Sequence, residues 1–341
     1  VIEAGRGLAL AAPLPLVALA CGLDWLIGDP RRLLHPVQVM GWVITQLRRL
    51  CERWAQDSPW RLRLGGGAIT LLLTLGSGLT GWLVEGLART WPGPGRALLV
   101  VGLASALAGR GLAQAVGAVL RALPDLEAAR SRLAWIVGRR VEDLPEAEIL
   151  RAAAETTAEN AVDGLFAPLF WMLVGAALAT RWSAAPGPLA LAWTFKASST
   201  LDSMLGYRHG RLRWLGTAGA RLDDALTWIP ARLVALSLPL ISAPPRRWPS
   251  QFCSALRQGA SDPSPNAGVS QAAYALAAGV RLGGRNRYAD GWRDKPVLCP
   301  NAPAPTAASV RLMLGQTLAL EGVWLLIAGL IAGCGSALEA R

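Results

Sequence analysis

The sequence predicts an all-α, polytopic integral membrane protein with about four to seven transmembrane helices. Three observations carry this. Of 341 residues, 52% are hydrophobic and only 17% charged, and the mean hydropathy is +0.34. Soluble domains carry about 25% charged residues, so a chain this apolar needs more than its own core to cover it. Several stretches reach the ~20 apolar residues that a hydrocarbon core requires. Finally, no ten-residue segments of alternating polarity suggest a barrel.

Taken in order, the expected spans are residues 7 to 27, whose one charge is Asp24, then the uncharged 66 to 84, then 97 to 120 with only Arg110. The block 164 to 195 is broken at Arg181, Pro186 and Pro188, which suits one long span or two short ones. Residues 225 to 241 form a weaker candidate interrupted by Pro230 and Arg232, and 312 to 338 a strong one interrupted by Glu321. The whole chain reads as one integral membrane domain without internal repeats. The connectors are Arg-rich, and the segment 29 to 63 faces the cytoplasm by the positive-inside rule, with 85 to 96 a short loop opposite. By parity 121 to 163 lies on the cytoplasmic side, joined by 196 to 224 if 164 to 195 is a hairpin, while the side of 246 to 311 stays open. The expected location is the inner (cytoplasmic) membrane.

The formal net charge is +11, and all but two of the 34 basic residues are arginine. The exceptions are Lys196 and Lys295. No basic run occurs, and 15 Trp beside three Tyr and four Phe suit interfacial anchors better than base stacking, which argues against a nucleic-acid partner. Five scattered cysteines without a C-x-x-C pair suggest neither a disulfide framework nor a zinc site. P-loop, dinucleotide and nucleophile-elbow motifs are absent from the sequence.

The chemistry-bearing residues cluster. Asp143 with Glu146 reads as a capping box that starts a helix. Along it Glu148, Glu155, Glu159 and Asp163 fall at about 20°, 0°, 40° and 80°, one acidic stripe. Such a stripe is either a solvated face or a site for Mg²⁺, which uses one or two carboxylates plus substrate phosphates. Asn160 and Gly164 fit a helix end that turns to present Asp163. A second cluster holds Lys196, Thr200, Asp202, Arg208 and His209; Lys196 is either a snorkelling anchor or a point charge for an anion. Arg221, Asp223 and Asp224 could bind an anion and a cation, or form a charged turn. Asp29, Arg31, Arg32 and His35 follow the first span, Asn266 lies in a turn-rich loop, and Gly283 and Gly284 beside Arg285 and Arg287 could cradle a phosphate.

In this order the clusters resemble the cobalamin-biosynthesis CbiB/CobD family, adenosylcobinamide-phosphate synthase. The matching blocks are Gly28-Asp-Pro-Arg-Arg with His35-Pro36-Val37; Glu155, Ala158, Glu159, Asn160, Asp163, Gly164, Ala167 and Pro168; Lys196-Ala197 with Thr200-Leu-Asp-Ser-Met-Leu-Gly-Tyr207; Ala220-Arg-Leu-Asp-Asp224 with Pro230-Ala-Arg232; and Ser264-Pro-Asn266 and Gly268 with Leu282-Gly-Gly284. The resemblance implies an ATP-dependent ligase that joins the free carboxylate of adenosylcobyric acid to the amine of (R)-1-aminopropan-2-ol phosphate, or of aminopropanol. It also implies Mg²⁺, membrane lipid around the chain, and other late cobalamin-pathway membrane enzymes as neighbours. No D-x-H-x-x-G segment is present, in keeping with a corrinoid that is substrate rather than cofactor. On this basis Glu155, Glu159, Asp163, Lys196 and Asp202 are the expected catalytic residues. His35, Asn160, Thr200, Arg208, Arg221 and Asn266 are expected to bind substrate or phosphate, and Glu155, Glu159, Asp163, Asp223 and Asp224 to bind metal. A Mg²⁺-dependent prenyl or phosphoalcohol transferase and a corrinoid or anion transporter are the rival readings.

Overall fold

A computed structural model describes residues 13–28, 35–288 and 291–339. Helices come first: α1 (Pro13–Ile27), α2 (Pro36–Ala55), α3 (Pro59–Thr90), α4 (Pro92–Ala104), α5 (Gly109–Ala122), α6 (Leu126–Leu133) and α7 (Glu146–Ala161). A π-helical segment, Val162–Phe166, joins α7 to α8 (Ala167–Arg181). Next follow α9 (Pro188–Leu205), α10 (Leu212–Leu215), α11 (Thr217–Ser237), α12 (Pro239–Ser242), α13 (Trp248–Gly259) and α14 (Ala267–Ala278). An antiparallel hairpin of β1 (Leu282–Tyr288) and β2 (Gly291–Leu298) precedes α15 (Ala307–Glu339).

Among the described residues, five stretches are long and apolar enough to cross a membrane: Pro59–Thr90, Pro92–Ala122, Glu146–Arg181, Thr217–Ser242 and Ala307–Cys334. The helical, multi-span class expected from composition is therefore present. Leu71, Leu72, Leu75, Leu79 and Leu83 on α3, and Leu326, Ile327, Leu330 and Ile331 on α15, are exposed. A bilayer is the solvent that suits such faces.

The chain divides into two compact units. Of the described residues, unit 1 comprises those up to Ala108, Ala167–Leu226 and those from Ala328 on; unit 2 comprises Gly109–Phe166 and those from Thr227 to Ile327. In unit 1, Met40, Ile44, Leu73, Leu201, Leu205 and Leu215 belong to one buried cluster. Gly81 lets α3 approach α9 closely, since a Cβ there would lie 2.8 Å from the Ala190 backbone nitrogen. Glu85 fixes the same contact: its carboxylate accepts the amides of Gly187 (2.9 Å), Leu189 (2.7 Å) and Ala190 (3.1 Å) at the start of α9. Those amides are the ones a helix N-terminus leaves unbonded. In unit 2, Val119, Ala129, Leu133, Val141, Ile149 and Ala152 form the core that holds α5, α6 and α7.

Several expected boundaries move. The described part of the 7 to 27 span is the 15-residue α1, shorter than a span. The 85 to 96 loop shrinks to Trp91, because α3 runs on to Thr90 and α4 starts at Pro92. Residues 97 to 120 are split between α4 and α5, and 164 to 195 form two helices separated at 182–187. The 121 to 163 and 196 to 224 connectors are mostly helix, so Glu155, Lys196, Asp202 and Asp223 all sit on helices rather than loops. Asp143 and Glu146 make no capping box: Pro145 is the N-cap of α7, and the Asp143 carboxylate lies 3.7 Å from Arg287. Nor does the helix end near Gly164. Asn160 instead donates to the Thr156 carbonyl (3.0 Å), and the chain continues through the π segment into α8. The hairpin was not foreseen. Asp29, Arg31 and Arg32 lie outside the described residues.

Candidate active site

The acidic stripe on α7 is real, and its charge is met by protein cations. Glu155, 5% exposed, is gripped by Arg139 at one oxygen and by Arg151 Nη1 (2.8 Å) and the Gly283 amide (2.8 Å) at the other. Arg151 also holds Glu148, the Gly283 carbonyl (2.8 Å), the Arg285 carbonyl (3.1 Å) and the Asn286 side-chain oxygen (2.9 Å). Three residues on one helix face, Glu148, Arg151 and Glu155, thus staple β1 to α7. Both oxygens of Glu155 thus face cations or an amide, so protein side chains already neutralise this part of the stripe.

The hairpin is two-faced because strand side chains alternate. Arg285 pairs in register with Asp294 and Arg287 with Trp292; Asn286 pairs with Arg293 and Gly284 with Lys295. The register slips between Leu282 and Gly284, where Gly283 (φ +82°) and Gly284 (φ +99°) take conformations that L side chains avoid. One face, carrying Arg285, Arg287 and Trp292, lines a cavity of about 550 Å³ together with Arg281, just before β1, and Arg139, Arg140 and Arg151. Six arginines there meet three acids, Glu142, Asp143 and Glu148.

The opposite face carries Asn286, Tyr288 and Lys295 into a smaller cavity of about 260 Å³, which also contains Glu155, Glu159, Asn160 and Gln271. Arg139 and Asn286 line both cavities. Glu159 accepts a hydrogen bond from Gln271 Nε2 (3.0 Å). Lys295 Nζ lies 3.4 Å from the buried Asp262 carboxylate. Burial alone would lower the Lys295 pKa, but the fields of Glu159 and Asp262 outweigh it and hold the ammonium above its ordinary value.

The remaining expected residues are dispersed. Asp163 lies in the π segment. Asn266 accepts from Arg232 Nη1 (2.9 Å), a contact that ties α11 to the start of α14. Those two belong to unit 2. In unit 1, the His35 ring caps α2 by accepting the Val37 amide (3.3 Å), and the Thr200 hydroxyl donates to the Lys196 carbonyl (2.7 Å). Asp223 on α11 stands in the field of Asp202, Asp224 and Lys196, and one of its buried carboxylate oxygens has no hydrogen-bond partner. Arg208 lies near Asp224, and Arg221 is exposed. Among the described residues, no three His, Cys, Asp or Glu side chains converge to hold an ion.

Sequence reading gave no role to Arg139, Arg151, Gln271 and Asp262, and named Lys295 without placing it in a site. The two lysines did stand out by their rarity, and the two-residue spacing of Arg285 and Arg287 was the one visible trace of a strand.

The fold and these polar cavities define a multi-pass helical membrane protein with an arginine-lined pocket in its second unit. A family model described as CobD/Cbib protein matches residues 17–316. The chain belongs to the CobD/CbiB family of cobalamin biosynthesis proteins. It is 40% identical over 311 residues to the cobalamin biosynthesis protein CobD of Synechocystis, covering 90% of this chain and 88% of that protein. It is 40% identical to the cobalamin biosynthesis protein CbiB of Salmonella typhimurium (82% and 84% covered), and 42% identical to the CobD of Klebsiella pneumoniae (80% and 83%). No solved structure matches the chain.

Proposed function

We propose that this chain is the ATP-dependent ligase of the pathway, joining the carboxylate of adenosylcobyric acid to the amine of (R)-1-aminopropan-2-ol phosphate or of aminopropanol, in the cytoplasmic membrane. Beyond family membership, the observation that supports it is the small cavity. There Glu159 and Lys295, two side chains of opposite charge, face a polar chamber of about 260 Å³ behind a wall of buried ion pairs. A carboxylate is a poor electrophile. It must first attack the γ-phosphorus of ATP, giving an acyl phosphate and ADP. The amine then attacks the acyl carbon, inorganic phosphate leaves, and the surplus proton passes to a base. Glu159 is that base in this reading, oriented by Gln271. Lys295, kept cationic by Asp262, offsets negative charge on the carbonyl oxygen as the amine adds.

Asn160 serves the same chamber as a polar contact, while Glu155 positions Arg139 and Arg151 rather than touching substrate; Asp163, outside the chamber's lining, is a proposed polar contact in the π segment. In unit 1, Lys196, Asp202, Thr200, Arg208 and Arg221 are proposed substrate contacts. Asp223 and Asp224 could share a Mg²⁺ ion whose other positions come from ligand oxygens and water, the mode Mg²⁺ favours. Such an ion would supply neutralisation of phosphate charge. The corrinoid is substrate, not cofactor.

The test is a mass shift of the corrinoid when adenosylcobyric acid, aminopropanol phosphate and ATP are incubated with membranes containing the chain. Glu159→Gln is expected to abolish amide formation at unchanged protein abundance. Full turnover by that variant would remove Glu159 from the mechanism.

A further inference from the structure

The chemistry above gives no role to Arg140, Arg281, Arg285 and Arg287, which line the larger cavity. Six arginines line it; Arg139 and Arg151 are met by Glu155 and Glu148, whereas Arg140, Arg281, Arg285 and Arg287 are not held by buried acids. Arg285 and Arg287 approach Asp294 and Asp143 only to 3.8 and 3.7 Å, through exposed contacts of the kind that contribute little. Arg140 and Arg281 have no acidic partner among the described residues. A glycine bulge and the buried Arg151 beneath it fix the backbone from which Arg285 and Arg287 project. Positive charge is thus concentrated on a rigid strand face, at an energetic cost that an anion would relieve.

We propose that this cavity is a polyphosphate site, the place where the chain grips the phosphate tail of a nucleotide without a P-loop. Two features select a polyphosphate over a single phosphate ester. A phosphomonoester carries about two negative charges, fewer than these four arginines, whereas a triphosphate tail, with about four, matches them. The volume, about 550 Å³, also exceeds what one phosphate fills. The one aromatic side chain in the lining, Trp292, has the Arg285 guanidinium 5.0 Å from its ring centroid. Its face therefore orients an arginine instead of stacking a base, and the site reads phosphate, not base. This inference rests on the ATP-dependent reading for its biological sense, but not for its test.

The experiment is calorimetric titration of the full chain in neutral phosphatidylcholine nanodiscs with inorganic tripolyphosphate, ATP, GTP, AMP and aminopropanol phosphate. Tripolyphosphate, ATP and GTP are expected to bind within about threefold of one another, and AMP and aminopropanol phosphate at least about tenfold more weakly. The double variant Arg285→Gln/Arg287→Gln, at side chains 65% and 45% exposed, should weaken tripolyphosphate at least about tenfold with an unchanged thermal midpoint. Should that variant unfold, Arg140→Gln alone is expected to give a smaller loss in the same direction. Unaltered tripolyphosphate affinity in the folded variants overturns the proposal. So does aminopropanol phosphate binding as tightly as ATP, or variants that lose only adhesion to anionic-lipid vesicles. A wild-type chain that binds tripolyphosphate as described yet forms no amide leaves the pocket standing and sinks the ligase reading; variants that bind normally but fail in turnover do the reverse.

Discussion

Replacing Arg151 by Met keeps most of the side chain's volume and removes its charge. The loss falls on one buried guanidinium that contacts Glu148, Glu155, Asn286 and the carbonyls of Gly283 and Arg285. Removing one partner of a buried ion pair costs about 3–5 kcal/mol, because the other charge is left behind. Here Arg139 still faces Glu155, which offsets part of that, so a cost near the lower bound, about 3 kcal/mol, is expected. The cost is local: the staple joins α7 to β1, so the hairpin should detach before unit 2 unfolds. A 3 kcal/mol loss raises the open fraction roughly 150-fold. Limited trypsin digestion reads this directly, since Arg285, Arg287 and Arg293 supply cleavage sites on the hairpin. Cleavage there should accelerate by about two orders of magnitude in Arg151→Met, with other sites unaffected, as long as reclosing outpaces cleavage. Hairpin cleavage at the wild-type rate would refute the reasoning.

Three further outcomes follow from the same geometry. Gly283→Ala should destabilise the hairpin by about 1–3 kcal/mol, since φ is +82° and the new Cβ would collide with the Pro296 carbonyl; the tryptic assay measures it. Glu85→Ala leaves three buried amides at the start of α9 unsatisfied and should lower the thermal midpoint in detergent, at a cost of about 1–3 kcal/mol or more, whereas Glu85→Gln should lose less. Lys295 has a folded pKa raised above the unfolded value, so its contribution is fully present below about 10.5 and is lost only as pH rises through the folded value. The difference in thermal midpoint between the wild type and Lys295→Gln should therefore be flat from pH 6 to 9, and a difference that shrinks across that range would contradict it.

The helical, multi-span class was legible because it rests on sums over many residues: about 20 apolar positions suffice to mark a span whatever its packing. Boundaries were not, because single charges misled. Glu85 looked like the start of a loop, yet inside α3 it satisfies the amides of another helix that no local pattern reveals. The β-hairpin escaped for a related reason. Gly283-Gly284 and alternating arginines have low strand propensity, and the alternation is between guanidinium and polar side chains rather than apolar and polar ones.

The α7 stripe shows how a pattern visible in the sequence leaves its chemistry open. Periodicity placed Glu148, Glu155 and Glu159 on one face, and repulsion demanded a cation. The sequence interval between Arg139 and Glu155, or between Glu159 and Lys295, says nothing about which cation comes, since the first ion pair and the shared cavity of the second two both arise through tertiary contacts of unit 2. Once Arg139 and Arg151 occupy Glu155, the stripe is split in function. Its first part anchors the hairpin and aims arginines outward, and its second part leaves Glu159 facing a chamber with Lys295. On the proposed reading, substitutions at Glu155 should act on anion binding and stability together, whereas Glu159→Gln should act on turnover without changing tripolyphosphate affinity.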